Sequence, residues 1–207
     1  MARRDSLGRG RPFRRVLPRI LIVCEGTKTE PGYFWEFRQL YRLVVDLELS
    51  SGGVPKTLVD RAAEMKKNAE HESKAAGDVN LRYDDVWCVF DIDDHPHIDD
   101  ARQQARDNGI KLAVSNPCFE LWVLLHFQDQ RAHISRVKLR AACRKYLPDY
   151  EKDIPIEKLS PLYDRAASRA TDLDRWQQEQ GRRDANPSTG VYKLTQAILR
   201  GSSRAGA

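Results

Sequence analysis

Short apolar runs alternate with amphipathic stretches from residue 19 onward. Four runs have the length and apolar content of buried strands, at residues 19–26, 44–50, 84–95 and 110–117. Helical stretches with apolar positions three or four apart separate them, at residues 29–43, 56–76 and 97–109. Strands that alternate with helices join through right-handed crossovers. The order therefore predicts an α/β fold with a mostly parallel four-stranded sheet flanked by helices.

The chain after residue 130 has a different pattern. Three further amphipathic stretches predict helices, at residues 135–147, 160–180 and 188–200. The segment before residue 19 is rich in Arg, Gly and Pro and has no periodicity, which is typical of a flexible segment. We therefore expect a basic flexible tail at 1–18, an α/β domain at 19–130 and a basic helical extension at 131–207.

Charge divides the chain into three parts. Residues 1–19 contain seven Arg and one Asp, residues 20–130 contain 12 basic against 20 acidic residues, and residues 131–207 contain 16 against 9. Basic segments attract polyanions and an acidic cluster attracts divalent cations, so the pattern favours a metal-dependent protein that binds nucleic acid. A basic tail that is merely solvated is the alternative.

Several features argue against membrane insertion and secretion. No apolar run is long enough to span a bilayer, and no secretory signal opens the chain. The four cysteines form no CxxC pair. We therefore expect a cytoplasmic protein without a membrane partner or a structural zinc site.

Carboxylates follow two of the predicted strands. Glu25 ends the first strand, and Asp91 and Asp93, two positions apart, end the third. Side chains two apart in a strand point to the same side, and ligands of parallel sheets bind beyond the carboxyl ends of the strands. Oxygen ligands suit Mg²⁺ or Mn²⁺, so these carboxylates predict a metal site. A turn or helix cap is the alternative for Asp-x-Asp alone, whereas an EF-hand is excluded because Pro96 stands where its loop needs Gly.

Two more glutamates are candidates for the same site. Glu30 could supply a further metal ligand, or Thr27 and Glu30 could form the capping box of the following helix. Asn116 and Pro117 have the residue types of a helix N-cap and first helical position, which puts Glu120 inside an apolar helix where no cap requires it. A buried glutamate is costly without a partner, so we expect Glu120 to have a counterion or to join the site.

Several polar residues near these carboxylates have the chemistry to contact phosphate. The candidates are Lys28, Asn116, His95, Arg182 and Arg183. Lys28 lies in a GTKT stretch that lacks the glycines of a P-loop, so only its charge is relevant. His95 could equally belong to an exposed polar loop. The two arginines could contact phosphate or lie on a surface loop near a Ser188 or Thr189 cap.

Four motifs, CEGTKTEPGYF, VWCVFDIDDH, SNPCFELWVLLHF and NPSTGVYKL, occur in this order along the chain. Together they resemble the RloB-like family over roughly residues 19–200, a family associated with phage defence and restriction-modification loci in bacteria. That family in turn resembles the Toprim fold of primases, topoisomerases and overcoming-lysogenization-defect nucleases. The resemblance implies that Glu25 is a general acid or base and metal partner, that Asp91 and Asp93 bind Mg²⁺, and that an ATPase partner restrains or triggers the protein. It implies no clear role for Glu120.

We therefore expect a Toprim-like, Mg²⁺- or Mn²⁺-dependent nuclease that cleaves RNA or DNA as an effector of antiphage defence. Asp91, Asp93 and Glu120 would hold the metal that activates water, and Glu25 would move a proton or share a second metal. A non-catalytic nucleic-acid-binding or regulatory subunit is the rival from another class. A phosphotransferase acting on small nucleotides would leave the basic segments unexplained.

Overall fold

A computed structural model describes residues 17–50, 54–92, 98–148 and 154–206, with side chains as far as residue 201. The predicted tail at 1–18 lies outside these ranges except for its last two residues. The strands of one sheet are β1 Ile20–Cys24, β2 Val45–Leu49, β3 Asp85–Asp91, β4 Lys111–Asn116 and β5 Ser188–Thr189. They lie side by side in the order β2-β1-β3-β4-β5.

The sheet is parallel except at one edge. β1 pairs in parallel with β2 and β3, and β3 pairs in parallel with β4, which confirms the predicted mostly parallel sheet. β5 was not predicted, and it pairs antiparallel with the end of β4. The side-chain hydroxyls of Ser115 and Thr189 form a buried hydrogen bond of 3.0 Å across this pair. The helix predicted at 188–200 therefore starts only at Val191.

Helices cover both faces of the sheet. They are α1 Thr29–Tyr41, α2 Pro55–Ala76, α3 Ile98–Asp107, α4 Glu120–Leu125, α5 Arg136–Tyr146, α6 Ile156–Leu159, α7 Tyr163–Glu179 and α8 Val191–Gly206. Two short 3₁₀ segments occur at Val79–Leu81 and Ser160–Leu162. α2 ends at Gly77, as predicted, where a left-handed φ of 66° suits a residue without a side chain.

The hydrophobic core has a layer on each side of the sheet. Ile20, Ile22 and Cys24 of β1 belong to a cluster with the aromatic side chains of α1, whereas Leu21 and Val23 belong to a cluster with α2 and α3. This alternation is the two-residue period of a strand that is buried on both faces. Side chains of α4, α5, α7 and α8 extend the first cluster. The helices after residue 130 thus share a core with the sheet, and the division at residues 130 and 131 stays a prediction.

The residues before α4 differ from the prediction. Asn116 is the last residue of β4 and pairs with Ser188 of β5. Its side-chain amide donates a hydrogen bond of 2.9 Å to the carbonyl oxygen of Asp184. The prediction that Asn116 caps a helix with Pro117 at its first position is therefore wrong, because the short fifth strand keeps Asn116 extended. The helix begins at Glu120 instead.

In the described ranges, no helix has the length and apolar character needed to cross a membrane. All four cysteines are free thiols, and all four are buried, as expected of residues that lie in or beside apolar segments.

His126 lies in the core where α4 ends. Its side chain is 2% exposed, and its Nδ1–H donates a hydrogen bond of 2.9 Å to the carbonyl oxygen of Trp122. Burial lowers the pKa of His126 from 6.5 to about 4, although the backbone contacts with Trp122 and Val123 oppose this shift. The ring is therefore neutral at pH 7. At the end of α4 it therefore contributes a hydrogen bond rather than a charge.

Acidification should therefore destabilise the protein through His126. The unfolded chain protonates this residue below pH 6.5 and the folded protein only below about 4, so the free energy of unfolding falls as the pH drops through this window. The loss amounts to about 3 kcal/mol. In urea denaturation, the free energy of unfolding of His126→Gln should fall by about 3 kcal/mol less than that of the parent over the same pH range. His133→Gln, an exposed histidine, is the matched control; the same dependence in both variants would contradict this role.

Candidate active site

The central strands carry acidic residues to one edge of the sheet. The backbone amide of Glu25 donates to the carbonyl oxygen of Val89 at 3.0 Å, which extends the pairing of β1 by one residue. The amide of Asp91 donates a long hydrogen bond of 3.4 Å to Oε2 of Glu25. Glu25 and Asp91 are thus neighbours at the carboxyl ends of adjacent strands. The predicted site residues Asp93 and His95 lie outside the described residues.

Glu30 reaches the same edge from the first turn of α1. It is 8% exposed, and its carboxylate lies where a Cβ atom at Gly26 would be, so a side chain at that position would force the carboxylate to move. The N-cap residue of α1 is Lys28, and no side chain forms a capping hydrogen bond. The capping box that Thr27 and Glu30 could have formed is therefore not present, because the helix starts too late for Thr27 to cap it.

Four carboxylates at this edge of the sheet lie close enough for their negative charges to affect one another. Burial raises the pKa of Glu30, and the charges of Glu120 and Glu25 raise it further. Burial raises the pKa of Asp91 well above its ordinary value, and repulsion from Glu30 adds to the effect. The positive charge of Arg136 opposes both pKa shifts. This acidic pocket, formed by Glu25, Glu30, Asp91 and Glu120, therefore favours a bound proton or an added positive charge.

Glu120 has a lowered pKa, in contrast to Glu30 and Asp91. Its side chain is 5% exposed, and Oε1 accepts a hydrogen bond of 3.0 Å from Nε of Arg140. Burial alone would raise the pKa of Glu120, but hydrogen bonds from Cys118 and from its own backbone amide, together with Arg140, hold it below the ordinary value. Glu120 is therefore a charged, paired residue, and Arg140 is its counterion.

Arg136 and Arg140 are site residues that the sequence analysis missed. Nη2 of Arg136 lies 3.3 Å from Oδ2 of Asp91, and its Nε donates to the carbonyl oxygen of Pro117 at 3.2 Å. The two arginines are four positions apart, so they lie on one face of α5. This spacing, directly after the Ser135 N-cap, indicates a shared positive face but not the part of the molecule that this face meets.

Four of the five predicted phosphate-binding residues, all except His95, lie within the described ranges. Lys28 is exposed immediately before α1. Arg182 and Arg183 are exposed in the turn after α7, and Nε of Arg183 lies 3.7 Å from Oδ2 of Asp184. The hydrogen bond from the side chain of Asn116 to the carbonyl oxygen of Asp184 holds this turn against the end of β4. Asn116 therefore has a structural partner.

The donor chemistry of the acidic pocket fits a hard divalent cation. Carboxylate oxygens are preferred ligands of Mg²⁺ and Mn²⁺, and a cation would relieve the repulsion that raises the pKa values of Glu30 and Asp91. Within the described ranges, no three His, Cys, Asp or Glu residues are close enough together to hold a metal ion. A complete ligand set would need Asp93, which lies outside those ranges, or a rearrangement of the described carboxylates.

A family model matches the chain across most of its length. The model, described as the RloB-like protein, matches residues 20–198. This span includes the acidic pocket, the two arginines of α5 and all four motifs on which the resemblance rested. Comparisons with curated proteins and with solved structures find no match. Because the family model covers far more than half of the chain, this protein belongs to the RloB-like family.

Proposed function

We propose that the protein is a Toprim-like nuclease that hydrolyses phosphodiester bonds in RNA or DNA with Mg²⁺ or Mn²⁺. The observation that carries the proposal is the acidic pocket at the carboxyl edge of a mostly parallel sheet. Ligands of α/β sheets bind at this edge. Buried carboxylates that raise one another's pKa are typical of functional sites, since they are costly in a purely structural role.

Glu25, Asp91 and Asp93 are the residues that would hold the cation. When bound, the cation would supply a hydroxide-like nucleophile from water and offset the negative charge that develops on the phosphate. Glu25 and Asp91 present their oxygens from neighbouring strand ends, so the sheet fixes their spacing.

Glu30 and Glu25 are the candidates for proton transfer. The raised pKa of Glu30 means that it holds a proton at a higher pH than an exposed glutamate does, as a general acid requires. Glu25 is less buried than Glu30, so it is better placed to accept a proton from an attacking water. Glu30 would thus act as the general acid and Glu25 as the general base, because their surroundings differ.

Arg136 and Arg140 are suited to hold the phosphate backbone. Their side chains are 33% and 45% exposed, so the guanidinium groups lie at the rim of the pocket. A guanidinium group can bond two phosphate oxygens at once. Glu120 positions Arg140 in this assignment, and the exposed Lys28 before α1 adds a further positive charge. The basic residues after residue 130 would extend contact along the backbone.

Membership of the RloB-like family supports a cytoplasmic role in antiphage defence with an ATPase partner, as the sequence motifs implied. The rival proposal is a non-catalytic nucleic-acid-binding or regulatory subunit. One observation favours the rival: Arg136 already provides Asp91 with a positive charge where a catalytic site would use a cation.

Asp91→Asn and Glu25→Gln should each lower metal-dependent cleavage by at least about 100-fold, because each removes a metal ligand or a proton acceptor. Cleavage of labelled tRNA, single-stranded RNA and duplex DNA is measured with full-length protein and Mg²⁺ or Mn²⁺. Asp107→Asn, an exposed carboxylate at the end of α3, is the matched control and should cut like the parent. Undiminished cutting by both Asp91→Asn and Glu25→Gln would refute the catalytic roles given to these residues. If the parent cuts nothing, even with its ATPase partner present, the non-catalytic subunit is favoured.

Binding of Mg²⁺ should be measurable without any cleavage. A cation that binds only the folded protein at 100 times its Kd adds about 2.7 kcal/mol of stability, which raises Tm by about 5–11 °C in a chain of this size. Thermal denaturation should show this rise in the parent and in Asp107→Asn. The rise should be largely lost in Asp91→Asn, and an equal rise in that variant would mean that the cation binds elsewhere.

A further inference from the structure

An apolar groove opens beside the acidic pocket. It has a volume of about 770 Å³ and lies between α1, β2, the end of α5 and the start of α6. Its walls include the apolar side chains of Trp35, Leu47, Leu147 and Ile154. The groove is also lined by two lysines, Lys28 and Lys158, and by two glutamates. A groove of this size and polarity is typical of a site for a small, largely apolar group.

The groove lies at the same edge of the sheet as the acidic pocket. Leu49, which lines the groove, ends β2 and is the register partner of Cys24, the residue before Glu25. Neighbouring strands lie only about 4.8 Å apart. Lys28 also lines the groove and is three residues away from Glu25. A polynucleotide with one phosphate at the pocket can therefore extend a neighbouring nucleotide into the groove.

Trp35 presents an aromatic surface in this groove. Its side chain is 48% exposed, although Trp is usually among the well-buried residues. The guanidinium carbon of Arg38 lies 4.7 Å from the centre of the Trp35 ring, and Nη1 of Arg38 donates to the carbonyl oxygen of Val45 at 2.8 Å. The indole is thus held against an arginine that β2 anchors. An aromatic group that is already oriented loses little freedom when a ligand stacks on it.

We propose that the groove binds an unpaired nucleobase next to the cleaved phosphate, with the base stacked on Trp35. Every nucleobase has a π face, so an exposed aromatic residue beside a backbone-binding site recognises single strands without reading their sequence. Lys28 contacts the adjoining phosphate. The inference rests on the proposed nuclease function and names its substrate class: single-stranded or looped nucleic acid, because a base in a duplex must first be unpaired and unstacked.

The test measures binding separately from cleavage. Full-length Asp91→Asn protein, kept in a metal chelator to suppress cutting, is titrated with a short labelled single strand and with the matched duplex. Adding Trp35→Ala should weaken single-strand binding about tenfold, which corresponds to the loss of one stacked base. Trp35→Phe should restore most of the affinity. Leu40→Ala is the matched control, because Leu40 lies on the same helix, is 47% exposed and does not line the groove.

Abasic oligonucleotides identify the stacked base. When the base at the stacking position is removed, the oligonucleotide should bind about tenfold more weakly to Asp91→Asn protein in which Trp35 is intact. The same abasic position should cause no further loss in the Trp35→Ala protein, because both changes remove the same contact. A merely structural role of Trp35 would instead give losses that add.

Unchanged single-strand binding by Trp35→Ala, or tighter binding of the duplex, would overturn the inference and leave the groove to an apolar segment of a protein partner. Failure of this inference is distinguishable from failure of the nuclease proposal. A protein that cuts but binds equally well without Trp35 refutes the stacking alone. A protein that binds through Trp35 but never cuts refutes the nuclease and retains the single-strand groove.

Discussion

Repulsion among buried carboxylates is the constraint on which the rest of the site depends. The four acids come from β1, α1, β3 and α4, elements whose positions are fixed by the hydrophobic core rather than by the acids themselves. α5 supplies the compensation, with Arg136 beside Asp91 and Arg140 beside Glu120. The compensation is unequal, because Glu120 has a lowered pKa whereas Glu30 and Asp91 have raised ones. The pocket thus combines a permanent anion, Glu120, which orients an arginine, with two acids, Glu30 and Asp91, whose charge depends on a proton or a cation.

The helix α1 contributes to both the acidic pocket and the apolar groove. Glu30 in its first turn belongs to the acidic pocket, and Trp35, less than two turns later, lines the groove. The packing of Tyr33, Phe34 and Phe37 in the core holds this helix against the sheet. The distance between Glu30 and Trp35 is therefore set by one helix that the core holds in place.

Local patterns predicted the fold more fully than the site. Apolar runs and the alternating stretch of β2 identified all four parallel strands, and the rule that parallel strands end at one edge brought Glu25 and Asp91 together. The two residues of β5 are too few to show any periodicity, so its effect on Asn116 was not predictable. Arg136 was missed because its contact with Asp91 spans 45 residues, and no local pattern indicates which face of α5 meets the pocket. The role of Asp93 stays a prediction.

The position of α5 in the chain has a consequence for synthesis. The ribosome makes β1, α1, β3 and α4 before it reaches Arg136 and Arg140, and the turn at Asp184 that holds the end of β4 comes later still. A nascent chain that has folded only its first strands therefore carries the acids without their counterions. The four acids and both counterions are present together only after Arg140 has been made, and the turn that holds the end of β4 only after Asp184. A product truncated before α5 would therefore keep the repulsion among the acids without the positive charges that offset it.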